Sequence, residues 1–220
     1  MDWHAWHDDY DRSDSSLARR LRVVQERIRS ALDGCPPGPV RVVSLCAGQG
    51  RDLLEVLAEH PRRTDVTARL VELDRRNAAA AKDMAGAAGL EQVDVVVADA
   101  ALTDHYLGMV PADIVLVCGL FGNITAEDIE RTIDACRRLC DTGGTVIWTR
   151  GRFEPDLIPQ ICDWFAQRDF ALHWLSEPDA GFGVGVHRFT GAPRPLEPGL
   201  RMFTFVGRDV LSRTDQRAGQ

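Results

Sequence analysis

The sequence predicts an α/β protein: a doubly wound, mostly parallel sheet of seven strands, helices on both faces, and an antiparallel hairpin at the end. Three observations predict it. Five apolar, β-branched runs, "VRVVSLC", "VTARLVEL", "VDVVVA", "DIVLVC" and "TVIWT", recur along the chain, most of them separated by segments of helical period. Runs without polar alternation are what strands buried on both faces look like, and parallel strands need such crossovers. Near the end the pattern changes: "FALHWLSE" and "FGVGVHRF" flank the turn residues "PDAG", the signature of a hairpin. Finally, 220 residues with 45% hydrophobic content suffice for one large domain with a real core, and are too few for two enzyme domains.

Taken in order, Leu17, Leu21, Val24, Ile28 and Leu32 mark one face of a helix, with Ser13 or Asp14 as its N-cap. "GCPPGP" (34–39) ends it and links to the strand over 40–46. The helix "RDLLEVLAEH", the strand over 66–73 and an alanine-rich helix from Arg75 to Gly89 follow, then the strands over 93–98 and 113–118. Thr125 and Asp128 have the spacing of a capping box for a helix running through Cys140, and Gly143 and Gly144 are expected to break it before the strand over 145–149. A helix over about 156–168 precedes the hairpin. "RMFTFVG" (201–207) reads as one more strand, and the tail from Arg208 is polar. The organisation expected is a single domain: an N-terminal helical or lid segment (1–39), the sheet domain (40–207) and a tail (208–220).

Composition narrows the function classes. The formal net charge is −7, and the only lysine is Lys82, so neither a nucleic-acid partner nor a lysine Schiff base is expected. No apolar run reaches the roughly 18 residues of a membrane span. The acidic, aromatic start "MDWHAWHDDYDRSD" is unlike a signal peptide. Six scattered cysteines without a Cys-x-x-Cys pair suit reduced thiols in a cytoplasmic protein, monomeric or homodimeric.

In doubly wound sheets ligands bind beyond the carboxyl ends of the strands, so the residues there are the candidates. After the first strand, Gly48 and Gly50 supply a tight turn and backbone N–H groups at a helix start, suited to a carboxylate or phosphate. Glu72 ends the second strand 22 residues beyond Gly50, near the spacing at which an acid meets a ribose diol. Asp74 competes for that role, and either acid is equally able to serve as a helix cap. Asp99, after the third strand, can accept from an exocyclic amine such as that of adenine. Gly119, Phe121, Gly122 and Asn123, after the fourth, face the same crevice.

With these segments in view, "VVSLCAGQG", "LVELD", "VVADAA" and "DIVLVCGLFGNI" in order, with the terminal hairpin, the chain from Val40 to Phe189 resembles the class I S-adenosylmethionine-dependent methyltransferases, whose fold is Rossmann-like. The resemblance implies S-adenosyl-L-methionine as cofactor. It implies that Gly48 and Gly50 line the methionine moiety, that Glu72 binds the ribose hydroxyls, that Leu73 packs on adenine, and that Asp99 takes its amine. Ser44, Cys46, Ala100 and Gly119 complete the expected cofactor set. Two positions depart from the pattern. The family usually has an acid where this chain has Ser44, and often a glycine where it has Cys46, so the amino-acid end of the cofactor needs another anchor, for which Asp52 is the candidate.

Rival readings are weighed on the same residues. A nicotinamide-dependent oxidoreductase needs a third glycine where "GQGRDL" has Leu53, and a substrate domain for which no residues remain. A non-catalytic cofactor-binding partner or sensor keeps the fold and lacks turnover. Methyl transfer needs mainly alignment of nucleophile, methyl carbon and sulfur, so the lack of an obvious base does not separate these two. The acceptor expected is a small molecule, with Phe121, Asn123 and Tyr10 against it. His7, Tyr10 and His187 are the candidate catalytic groups, the first two on a lid carrying Trp3 and Trp6. His4, His7 and Asp8 lack the further ligands of a metal site, and no metal is expected.

Overall fold

The computed structural model describes residues 15–211. Helix α1 (Ser16–Gly34) is capped by Ser15, whose hydroxyl accepts from the Ala18 amide at 2.9 Å; the cap is this serine rather than Ser13 or Asp14, which lie outside the described residues. Its apolar stripe buries Val24, Ile28 and Leu32. The chain then alternates: β1 (Val40–Leu45), α2 (Arg51–Glu59), β2 (Val66–Glu72), α3 (Arg75–Ala87), β3 (Val93–Val97), β4 (Ala112–Val117), α4 (Ala126–Leu139), β5 (Cys140–Gly151), α5 (Ile158–Ala166), β6 (Phe170–Leu175) and β7 (Phe182–Phe189).

Hydrogen bonding joins the strands into one sheet in the order β3-β2-β1-β4-β5-β7-β6. The first five strands pair in parallel, and β7 runs antiparallel between β5 and β6. Chain direction across the sheet reverses between β1 and β4, which makes their carboxyl ends the switch point.

Alternation along each strand sends neighbouring side chains to opposite faces. Val43, Val115, Val117 and Val146 join one core with Ile129, Ile133 and Phe165 from α4 and α5. Val42, Ile114, Leu116 and Ile147 join the other with Ile28, Leu53 and Ala81 from α1, α2 and α3. Both faces are therefore dry, which is why the strands read as unbroken apolar runs.

Two segments differ from the sequence expectation. Gly143 and Gly144 do not separate α4 from a later strand. The Cys140 amide closes α4 on the Cys136 carbonyl, and the chain enters β5 at once, with the glycines inside an irregularity between the Ala112–Cys140 and Ile114–Thr145 pairings. The segment 201–207 is not a strand of the sheet. It pairs with neither edge strand, β3 or β6, because its amides go instead to Ala101, Asp128 and Asn123, and it makes a single bridge, Leu102 to Arg201.

The link from α1 to β1 is held by one side chain. Arg62 donates to the carbonyls of Leu32, Cys35, Pro36 and Gly38 at 2.7–2.9 Å, and its Nε pairs with Asp65 at 3.1 Å. The guanidinium fork thus adds a second donor to the last-turn Leu32 carbonyl and supplies one to each of three carbonyls in the link beyond α1. Arg62→Met is expected to destabilise the fold by about 2 kcal/mol, a melting temperature lower by roughly 4–8 °C. Thermal denaturation followed by circular dichroism checks this; Arg62→Lys should recover little, since one ammonium cannot span four carbonyls.

Candidate functional site

At the switch point residues at or just beyond the carboxyl ends of β1 to β5 line a cleft of about 510 Å³, within the range of small-molecule sites. The loop after β1 turns through three left-handed residues, Cys46 (φ 52°), Gly48 (φ 58°) and Gly50 (φ 68°). Glycine takes that conformation freely, and at Gly50 a Cβ would also lie 2.7 Å from Leu70 Cδ2. Cys46 adopts the same conformation with a side chain, at a position where the resembling family often has glycine. Gly50 then starts α2 without a side-chain cap of its own, and Gly50, Arg51 and Asp52 line the cleft.

Glu72 closes the other side of this loop. Its Oε2 accepts from the Gly48 amide at 2.7 Å and its Oε1 from the Asp74 amide at 2.8 Å. Each oxygen keeps capacity for a further donor. Burial raises the pKa of this carboxyl, against the lowering effect of the Asp74, Gly48 and Leu73 amides. Asp74, the competing acid, is the N-cap of α3: its Oδ1 accepts from the Arg76 amide at 2.8 Å, and the Arg76 side chain draws its pKa down to about 2. Asp74 lines the cleft as well, with its Oδ1 engaged in the cap. Leu73, between them, is 66% exposed on the cleft rim.

Asp99 follows β3. Its Oδ1 accepts from the Ala101 amide at 3.0 Å, and its Oδ2 pairs with Arg201 at 3.0 Å, so the acid expected to meet a ligand amine also holds a cation from the far end of the chain. Asp52, in the first turn of α2, lines the cleft beside Cys118. Burial raises its carboxyl to about 6, outweighing the hydrogen bond it accepts from the Leu53 amide at 2.9 Å. Gly119 donates to Thr149 Oγ1 at 2.8 Å and lines the cleft with it.

Of the residues expected from sequence, the cleft gathers Cys46, Gly48, Gly50, Asp52, Glu72, Leu73, the competing acid Asp74, Asp99, Ala100 and Gly119. Four others lie elsewhere. Ser44 is buried inside β1, one residue short of the strand's end. Phe121 is fully buried against Trp148, with ring centroids 5.9 Å apart, so its ring is core and not substrate wall. Asn123 is a tether: its carbonyl accepts from the Val206 and Gly207 amides, and its Oδ1 accepts from the Arg208 amide. His187 is enclosed between β5 and α5, where Nδ1 accepts from Trp148 Nε1 at 3.1 Å and the ring stacks on Phe165 at 4.3 Å. Burial pushes its imidazole down to about 3, so it stays neutral and out of reach of the cleft. His7 and Tyr10 lie outside the described residues.

The structure adds residues that sequence reasoning missed. Arg20, Leu21 and Val24 reach the cleft from α1, whose apolar stripe was visible although its partner was not. Asn77 reaches it from α3, and its buried Oδ1 has no hydrogen-bond partner among the described residues. Phe203 and Phe205 come from the segment read as a strand. Among the described residues, no group of three or more His, Cys, Asp or Glu is arranged to hold a metal ion, and no helix is long and apolar enough to cross a membrane.

Comparison with known proteins bears directly on this cleft. A family model described as "Putative methyltransferase" matches residues 17–168, more than half of the chain and all of the strand-end loops from β1 to β5. The chain belongs to this methyltransferase family. No curated protein matches it. Among solved structures, an O-methyltransferase family protein from Burkholderia thailandensis is similar over 86% of this chain, with a TM-score of 0.67 and 17% identity; this chain covers 60% of that protein's length. The 1,6-didemethyltoxoflavin-N1-methyltransferase from the same organism, with bound 1,6-didemethyltoxoflavin and S-adenosylhomocysteine, matches over 86% of this chain and 87% of its own, at TM-score 0.61 and 15% identity. An rRNA methylase from Streptococcus thermophilus matches over 75% of this chain and 95% of its own, at TM-score 0.59 and 15% identity. At these identities the likeness is one of fold, and it covers the seven-stranded sheet with its antiparallel end.

Proposed function

We propose that this methyltransferase-family protein binds S-adenosyl-L-methionine in the switch-point cleft and transfers its methyl group to a small-molecule acceptor. The observation that carries the reading is the Glu72 carboxylate, locked by the Gly48 and Asp74 amides at the cleft with acceptor capacity left over. That arrangement fits a ribose diol. Asp99 then takes the adenine amine, Leu73 covers the ring, and the Gly48–Gly50 turn lets backbone approach the methionine chain. When bound, the cofactor supplies the electrophilic methyl, and the protein's part is alignment and exclusion of water. A net charge of −7 supports a small acceptor over a nucleic acid, and the bound heterocycle of the toxoflavin methyltransferase agrees with that choice. Six free thiols suit a reducing compartment.

Asp52 is the proposed anchor for the cofactor's ammonium, replacing the acid absent at Ser44. Its carboxyl titrates near 6, so the attraction is present above that pH and lost as pH falls through it. Affinity for S-adenosylhomocysteine should accordingly fall below pH 6 in the wild type. Asp52→Asn should bind roughly 10-fold more weakly at pH 7.5 and lose this pH dependence. Calorimetry across pH 5–8 reads both; a wild-type affinity that does not change with pH would remove Asp52 from the role.

The overall reading is tested by titrating the purified protein with S-adenosylmethionine, S-adenosylhomocysteine and nicotinamide dinucleotide. Binding of the dinucleotide alone overturns it. Binding of S-adenosylmethionine without turnover on any acceptor would favour the second reading, a cofactor-binding partner or sensor.

A further inference from the structure

Asp99 is presented by a loop that the residues matching the family, 17–168, do not build alone. Residues 197–203 run alongside it and close on it with a short ladder of hydrogen bonds. The buried Thr103 hydroxyl donates to the Glu197 carbonyl at 2.7 Å and accepts from the Leu200 amide at 3.1 Å. The Thr103 amide donates to the Leu200 carbonyl at 3.0 Å, and the Met202 amide to the Ala101 carbonyl at 2.8 Å. Leu102 and Arg201 form an antiparallel bridge between these ties, and Met202 and Phe203 are buried in the same core as Ala100 and Ala101. The Arg201 side chain then reaches Asp99. Its Nη1 is 3.0 Å from Asp99 Oδ2 and 3.5 Å from the Phe203 carbonyl, while Asp99 Oδ1 accepts from the Ala101 amide at 3.0 Å. Each oxygen of the carboxylate is therefore held by a donor from a different part of the chain.

From this we infer that Arg201 is a positioning residue for Asp99, so that selection of a cofactor with a 6-aminopurine depends on the segment that follows β7. The inference rests on the S-adenosylmethionine reading above, in which Asp99 takes the adenine amine. Asp99 is the member of the pair that lines the cleft. A carboxylate has about four acceptor positions, so with one donor on each oxygen it still accepts a ligand amine. Holding it in one rotamer beforehand removes ordering that binding would otherwise cost. The opposite role, a guanidinium that competes with the ligand for Asp99, predicts the opposite sign: removing it would tighten binding. The side chains of Arg201 and Asp99 are 48% and 38% exposed, so their pairing contributes little to folding, and the effect belongs in ligand discrimination.

The test titrates the full-length protein, by calorimetry, with S-adenosylhomocysteine and with its 6-desamino analogue, in which hydrogen replaces the 6-amino group and the rest of the purine is kept. Wild type should prefer S-adenosylhomocysteine roughly 10-fold, the loss of one hydrogen bond to a charged acceptor. Arg201→Gln should cut this preference to about 3-fold by weakening S-adenosylhomocysteine alone, and Arg201→Lys should keep most of it. Asp99→Ala should abolish the preference, and adding Arg201→Gln to it should change neither affinity further. Melting temperatures of the two Arg201 variants should stay within about 2 °C of wild type. An Arg201→Gln protein that weakens both ligands equally, keeps the full preference, or binds S-adenosylhomocysteine more tightly overturns the inference. So does a wild type that binds both ligands alike. Failure of wild type to bind S-adenosylhomocysteine at all would instead bring down the reading on which it rests.

Discussion

Glu72→Ala is expected to weaken binding of S-adenosylhomocysteine by about 2 kcal/mol or more, roughly 30-fold. Two losses combine. The proposed acceptor for both ribose hydroxyls is gone, and the Gly48 and Asp74 amides lose the carboxylate that fixes the loop geometry. Glu72→Gln should recover only part, because the amide nitrogen of glutamine would face one of two backbone donors that a carboxylate satisfies at once. Asp74→Ala is the informative control. As the N-cap of α3, Asp74 contributes to helix stability, so its removal should cost about 1 kcal/mol of folding while leaving affinity near wild type. Calorimetry on the three variants checks the ordering; an unchanged affinity for Glu72→Ala would mean that the ribose is not held at this carboxylate.

The largest effect on stability is expected at Gly185. A Cβ there would lie 2.3–2.5 Å from the Cε2, Cζ2 and Nε1 atoms of Trp148. That indole is fully buried, stacked on Phe165 and hydrogen-bonded to His187, and both strands are interior to the sheet. Neither ring nor backbone has room to yield, so Gly185→Ala should destabilise the protein by about 3 kcal/mol, lowering the melting temperature by roughly 6–12 °C. Gly86→Ala provides the opposite case. A Cβ at Gly86, in α3, meets nothing within 4 Å, and the substitution should stabilise by up to about 1 kcal/mol. Paired thermal melts would show both signs; a Gly185→Ala protein melting with wild type would mean that Trp148 can repack.

Much of the site was legible because strand ends are legible. An apolar run that stops at a polar residue marks where a buried strand emerges, and in a parallel sheet all such points lie on one edge. Glu72 and Asp99 could therefore be picked out before any contact was known, and the Gly48–Gly50 turn announced itself by composition. Where that logic failed, the sequence could not report direction or distance. Phe121 and Asn123 sit in the loop after β4 beside Gly119, yet one ring turns into the core and the other side chain ties down a segment more than 80 residues away. His187 alternates with Val184 and Val186, a pattern that describes a burial face without saying that Trp148 and Phe165 fill the space beyond it.

The sequence by itself determined the seven strands of the sheet, the helices between them, their order, and which acids stand at the ends of β2 and β3, though not that residues 201–207 stay out of the sheet, because hydrophobic period and turn residues act over a few neighbouring positions. Tertiary structure alone decided that β7 enters between β5 and β6, that Asp74 caps α3 while Glu72 accepts from the Gly48 amide, and that residues 199–208 cross back over the cleft. The physical reason is the same in each case. These outcomes depend on which buried amides and carbonyls remain to be satisfied once the sheet has formed. The groups that satisfy them, Asp128 for Thr204 and Asn123 for Val206 and Arg208, come from distant parts of the chain.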